Sequence, residues 1–209
     1  EQLLPFLDAY AIGSAGPVIV NVKQAGGVKY VSLVNNARKK GIYTEWTKND
    51  NFQPYGVEQE AICYLKVPET SVVYEFTESR QLPVSWNGTH LVTKVILPPH
   101  QGRLLCVYPT AITTIEINCP ESFSRGSSEK IRIRVLDSLG QTVSGRQLVS
   151  LTVLDGRGEV HDESSFYPVR DGQLEIPIRI ALNDPAGTWK IEVTERTTGL
   201  ATNHSFLVK

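Results

Sequence analysis

The chain has no methionine among its 209 residues, only three cysteines, only four histidines, and no excess of charge of either sign. Each shortage excludes something. Cys63, Cys106 and Cys119 include no C-x-x-C pair, so the ordinary zinc frameworks are excluded. Their odd number leaves at least one thiol unpaired. Cys63 and Cys106 fall in strand-like segments, where a buried cysteine acts as a small hydrophobe. A Cys63–Cys106 bridge stays open if those strands are neighbours. His90, His100, His161 and His204 stand far apart, none with a second ligand at metal spacing, so neither a metal nor a cofactor is expected. With 21 basic against 22 acidic residues, phosphates find no basic surface, and nucleic acid is not an expected partner. No apolar run nears the roughly 20 residues of a membrane-crossing helix, so membrane insertion is not expected either. The start, Glu1-Gln2-Leu3-Leu4, has neither initiating methionine nor a basic-then-apolar leader. A piece of a longer protein is the expectation.

Period-two alternation fills the space these absences leave. In the last hundred residues Ile131, Ile133 and Val135 alternate with Arg132 and Arg134, and Val149, Leu151 and Val153 with Ser150 and Thr152. Leu174, Ile176, Ile178 and Ile180 alternate with Glu175, Pro177 and Arg179, and Trp189, Ile191 and Val193 with Lys190 and Glu192. Such strands bury one face and wet the other. Turn signals separate them, at Ser138-Leu139-Gly140, Asp155-Gly156-Arg157-Gly158, Asp171-Gly172, Asn183–Gly187 and Thr198-Gly199. About seven strands in a hundred residues predict an immunoglobulin-like sandwich. The first half predicts strands near Val18–Lys23, Val28–Asn35, residues 59–67, Val72–Phe76 and Arg103–Tyr108. Asn87-Gly88 predicts a two-residue hairpin that sets Trp86 opposite Thr89 and Val84 opposite Leu91. The fold class is therefore all-β: two tandem antiparallel β-sandwich domains, the second immunoglobulin-like. A lead-in over residues 1–16, either a short helix or an extended connector, precedes a first domain over 17–110 and a second over 111–209.

Catalytic groups are hard to find, and no catalytic residue is assigned. His161-Asp162-Glu163 reads as a solvated loop, since consecutive residues of an extended chain diverge. Paired carboxylates are the requirement of a glycosidase, yet Glu58, Glu60, Glu69, Glu75 and Glu78 read as a wet strand face with turn charges. Gly13-Ser14-Ala15-Gly16 lacks the strand-to-helix elbow of a nucleophilic serine. Gly156-Arg157-Gly158 has no helix after it to hold phosphate. The candidate binding residues are aromatic. Tyr43, Trp46, Phe52 and Tyr55 lie among Thr, Lys, Asn and Gln in the connection 41–57, a composition suited to sugar surfaces. Packing of the same rings onto the sandwich is the simpler reading.

Two resemblances follow from longer stretches. Ile131–Gly140, with its D-x-x-G ending, Val143–Arg146 followed by Val149–Val153, and Ile178–Trp189 with its polar turn and Gly-x-Trp resemble macroglobulin-like and bacterial immunoglobulin-like modules. Tyr30–Asn36, Val72–Val84 and Ile96–Leu105 resemble accessory β-domains of large bacterial β-galactosidase-like glycoside hydrolases. His100 and Gln101 stand in the turn where those domains often carry glycine. The resemblance implies a non-catalytic spacer or docking segment of a carbohydrate-active protein, whose partners are the other domains of that protein. Two alternatives remain: a carbohydrate-binding module that meets polysaccharide through the aromatic connection, or a cell-surface adhesion module that binds protein.

Overall fold

The computed structural model describes residues 8–39 and 55–209, and every regular element among them is a β-strand. The all-β class expected from alternation is the class observed. The chain divides into two compact units, Glu1–Gln24 with Lys29–Pro109, and Ala25–Val28 with Thr110–Lys209.

The first unit contains β1 (Ala9–Gly13), β2 (Val18–Ala25), β3 (Val28–Asn35), β4 (Arg38–Lys39), β5 (Tyr55–Gly56), β6 (Gln59–Leu65), β7 (Val72–Glu75), β8 (Arg80–Gln81), β9 (Ser85–Trp86), β10 (Leu91–Leu97) and β11 (Gly102–Tyr108). They form one sheet in the order β1-β6-β10-β9, another in the order β2-β3-β11-β7-β8, and a small β4-β5 pair. Between the two larger sheets lie Val31, Leu33, Ala61, Cys63, Leu65, Leu91, Val95, Leu97, Leu105 and Val107. These are the alternate residues of their strands, as the pleat demands. Cys63 belongs to β6 and Cys106 to β11, in different sheets, and all three cysteines are free thiols. Burial pushes the Cys63 thiol up to about 12 and that of Cys119 up to about 11.

Two local expectations are refined. The segment left open as helix or connector contains a strand, β1, paired over five residues with β6. The hairpin after Trp86 has a four-residue loop instead of two, with Trp86 opposite Leu91 and Ser85 opposite Val92. The Asn87 side chain explains the change. Its Oδ1 accepts from the N–H groups of Thr89 (3.0 Å) and His90 (2.8 Å), an Asx turn that replaces the backbone-only turn. The longer loop also buries the His90 ring against Tyr10 and Tyr64.

The second unit contains β12 (Ile112–Asn118), β13 (Ser122–Phe123), β14 (Ser128–Asp137), β15 (Arg146–Leu154), β16 (Ser165–Arg170), β17 (Gln173–Arg179), β18 (Gly187–Glu195) and β19 (Ala201–Val208). Their order is β12-β14-β17-β16-β15-β18-β19-β13. Only Arg170 and Gln173 pair between β16 and β17, so the ladder bends at the Asp171-Gly172 turn and folds two layers over one core. Of the predicted inward residues, Ile131, Ile133, Val135, Val149, Leu151, Val153, Ile176, Ile178, Ile180, Ile191 and Val193 are buried and Leu174 is half-buried. Trp189 is fully buried beside Phe206, which in turn packs on Phe123. The Trp189 indole N–H donates to Pro185 O (2.9 Å) and so ties the polar turn to the core. The strand beyond the expected seven is β13, which pairs parallel with β19 through two residues only.

Acidic side chains at strand ends hold the turns. Asp137 Oδ1 accepts from Leu139 N and Gln141 N (2.9 Å each) and Oδ2 from Thr110 Oγ1 (2.8 Å). Asp155 repeats the arrangement with Arg157 N and Glu159 N. Burial raises the pKa of Asp137, but the hydrogen bonds from Gln141, Thr110 and Leu139 outweigh it, and the group lies below the usual carboxylate value. A depressed carboxylate contributes stability above its unfolded value near 3.9, and that contribution vanishes as pH falls through the folded value. Asp137→Asn should therefore lower stability by about 1–2 kcal/mol at pH 7. Urea midpoints measured from pH 7 to 2 should converge with those of the native chain at the acid end, and a gap constant over that range would refute the assignment.

Candidate functional site

The aromatic connection was the sequence-based candidate. Tyr43, Trp46 and Phe52 lie outside the described residues, and Tyr55 is described only through its backbone in β5, opposite Lys39 of β4. The described residues do reveal how the two ends of this connection are held. Asn35, buried at the end of β3, turns its side-chain amide toward the carbonyls of Val57 (2.7 Å), Leu97 (2.9 Å) and Pro98 (2.9 Å). Its Oδ1 accepts from Ala37 N and Gln59 Nε2, both at 2.9 Å. One side chain thus clamps both ends of the connection to the β10–β11 turn. The His100 ring joins the clamp, its Nε2 accepting from Gly56 N (2.8 Å). His100 has φ of 56°, in the left-handed region where glycine is at ease. The histidine that stands there supplies an acceptor that glycine lacks.

A second surface was not singled out from the sequence. On the sheet β1-β6-β10 the outward positions form cross-strand rows: Tyr10, Tyr64 and Val92; then Ile12, Ile62 and Lys94; then Glu60 and Ile96. An outward face should be polar. This one is mostly apolar, with Ile12 51% and Ile96 49% exposed. Tyr10 and Tyr64 stack with centroids 4.6 Å apart and planes 9° from parallel. His90 meets both edge-on. Burial foremost, and then the neighbouring Tyr64, raise the Tyr10 phenol above its ordinary value. Lys94 and Glu60 pair at 3.1 Å across the rim. The signal in the sequence was the failure of alternation: β6 is apolar at Ile62 and Tyr64 as well as at Ala61, Cys63 and Leu65, and β1 at Tyr10 and Ile12.

Several of the other candidates are engaged structurally. Glu75 is fully buried and accepts from Thr77 N (3.0 Å) and Glu78 N (2.9 Å); Glu60 is held by Lys94. His161 is not part of a purely solvated loop. Its ring lies 5.0 Å from that of Trp189, and Nε2 is 3.7 Å from Asp184 Oδ2. Among the described residues, no three His, Cys, Asp or Glu side chains gather as a metal site. No helix there is long and apolar enough to cross a membrane.

No protein-family model matches the chain, and no curated protein does. Among solved structures, the chain is similar to Bacteroides uniformis β-glucuronidase 2, solved with covalently bound cyclophellitol-6-carboxylate aziridine. Identity is 9% and the TM-score 0.25, over 90% of this chain and 32% of that one. The chain therefore spans less than two thirds of that enzyme's length.

The clamp makes a testable demand. Asn35→Ala strips partners from the buried Ala37 N–H and Gln59 amide and should cost about 2–3 kcal/mol. Limited proteolysis should cut within residues 36–58 faster in this variant than in the native chain. Equal cutting rates would show that Asn35 does not hold the connection.

Proposed function

We propose that this chain is a non-catalytic structural and docking segment of a larger bacterial carbohydrate-active protein, and that the outer face of β1, β6 and β10 meets another domain of that protein. The resemblance of Val72–Val84 and Ile96–Leu105 to glycoside-hydrolase accessory domains supports the setting. The second unit serves in this reading as a macroglobulin-like, immunoglobulin-like spacer.

The observation that carries the docking role is the pairing of Tyr10 with Tyr64. A sugar-binding platform offers ring faces to the sugar's C–H surface. Here the two rings spend faces on each other, and the adjoining Ile12, Ile62 and Ile96 add aliphatic surface without the amide and hydroxyl partners that sugars require. An aliphatic and aromatic patch with a polar rim is the anatomy of a protein contact.

The test uses the chain mixed with the remaining domains of its parent. Ile62→Glu should weaken that association at least about tenfold while leaving the chain's own thermal midpoint within a few degrees. Association indifferent to this charge would sink the docking face. Tryptophan fluorescence titrated with a panel of oligosaccharides should not respond, and a saturable response lost in Trp46→Ala would replace the docking role with carbohydrate binding.

A further inference from the structure

Among the described residues, both sheets of the first unit end at one side in edges to which no further strand is paired. β1 terminates one sheet and β2 the other, and the two strands are consecutive in the chain, joined through Ser14-Ala15-Gly16-Pro17. Between them lies a cleft of about 530 Å³ lined by Asp8, Ala9, Tyr10, Ala11, Val18, Val20 and Val22. The inward residues of the inner strands are fully covered, for example Leu33, Cys63, Leu65 and Leu105 at 0–1% exposure. Val18, Val20, Val22 and Ala11 face the same core yet are only half-buried. Among the described residues, the core is therefore incomplete along this edge.

The backbone of the same residues faces the same opening. Asn36 N donates to Pro17 O, which turns the odd-numbered residues of β2 toward β3. Antiparallel pairing alternates, so Val18, Val20 and Val22 address their N–H and C=O groups to the free edge. On β1, Lys66 N donates to Asp8 O and Ser14 N to Glu60 O, so the backbone groups of the even-numbered residues face β6, and those of Ala9 and Ala11 point away from it. Natural edges are commonly guarded by proline, by inward charge or by a bulge. Val18–Val22 has no proline and no inward charge, and β1 keeps unbroken register with β6.

We infer that the β1/β2 edge is an acceptor site for an extended strand supplied by a separate polypeptide. The incoming segment adds a rung of main-chain hydrogen bonds to β2 and inserts alternate aliphatic side chains into the cleft, the strand-addition mode of recognition. Its chemistry follows from the site. The backbone must be extended, because the edge-facing groups recur at Val18, Val20 and Val22 of β2. Its inward side chains must be apolar, because Val18, Val20, Val22 and Ala11 line the opening. A cavity of roughly 150 Å³ holds one benzene ring, so the cleft has room for about three side chains, as many as β2 has inward valines. A sugar or a small apolar molecule would leave the ladder unpaired. This inference shares only Tyr10 with the docking face, since it otherwise concerns the inward and lateral groups of β1 and β2.

The probe is a labelled peptide of about nine residues, the length of a long strand, with valine alternating with threonine, added to the full chain. Saturable binding is expected, with slowed amide exchange at Val18, Val20 and Val22. Val20→Lys, a charge aimed into the cleft, should weaken it about tenfold or more, and Ile19→Lys, on the opposite face of the same strand, should change it less than about twofold. A peptide N-methylated at alternate amides should lose binding without any change to the protein, so the outcome does not depend on a variant that folds. Absence of binding at millimolar peptide, affinity indifferent to N-methylation, or protection elsewhere would each overturn the inference. A peptide-free dimer that protects the same three amides would overturn it as well, and assign the edge to a second copy of the chain.

Discussion

The parity of the β-strand governs the described faces of the first unit. A residue's position in the alternation sets which face its side chain meets, and the same position sets which lateral edge its N–H and C=O address. The core of the first unit, its apolar outer face and its open edge are three readings of that single constraint on β1, β2 and β6. Tyr10 and Ile12 reach the outer face because Ala9 and Ala11 turn inward. Val20 turns its backbone to the free edge because its side chain belongs to the core layer. A shift of one residue in the β1–β6 register would exchange all of these roles at once.

The described residues hold no helix, and buried polar side chains satisfy the turns between their strands. Asn35, Glu75, Asp137 and Glu195 sit at strand ends and accept from backbone N–H groups two to four residues onward. Glu195 takes Thr197 N at 2.9 Å and Thr198 N at 2.8 Å, the counterpart in the second unit of Glu75 in the first. Burying a carboxylate is costly unless it is hydrogen-bonded. Each of these groups answers the N–H groups that its own turn would otherwise leave unpaired. Loops therefore keep fixed geometry without depending on apolar packing.

Legibility followed the same physics. The strands of the second unit could be read because Ile131, Ile133 and Val135, or Trp189, Ile191 and Val193, alternate with charged neighbours. The outer face of β6 was harder to see, because Ile62 and Tyr64 look like core residues when their neighbours are core residues too. Alternation in hydropathy vanishes when both faces are apolar, and only the pairing partners tell the faces apart. The hairpin at Asn87 was placed correctly but registered two residues short. Asn-Gly chemistry favours the tight turn locally, and the burial of the His90 ring against Tyr10 and Tyr64, remote in sequence, favours the longer one. The role of Asn35 could not be foreseen, since its partners at residues 37, 57, 59, 97 and 98 meet only after β3, β6 and β10 are in place.

Side-chain size on β1 links the two surfaces of the first unit. Its inward residues are alanines, its outward ones a tyrosine and an isoleucine, the reverse of an ordinary amphipathic strand. Small inward residues leave the cleft that large ones would fill, and large outward residues build the apolar face that polar ones would dissolve. The two consequences share one physical origin, a strand whose bulk is turned away from its own core. Such a strand gains little from its own sandwich, since each buried methylene contributes only about 0.8 kcal/mol and an alanine has few to bury. Its apolar surface is worth more against something laid over or beside it.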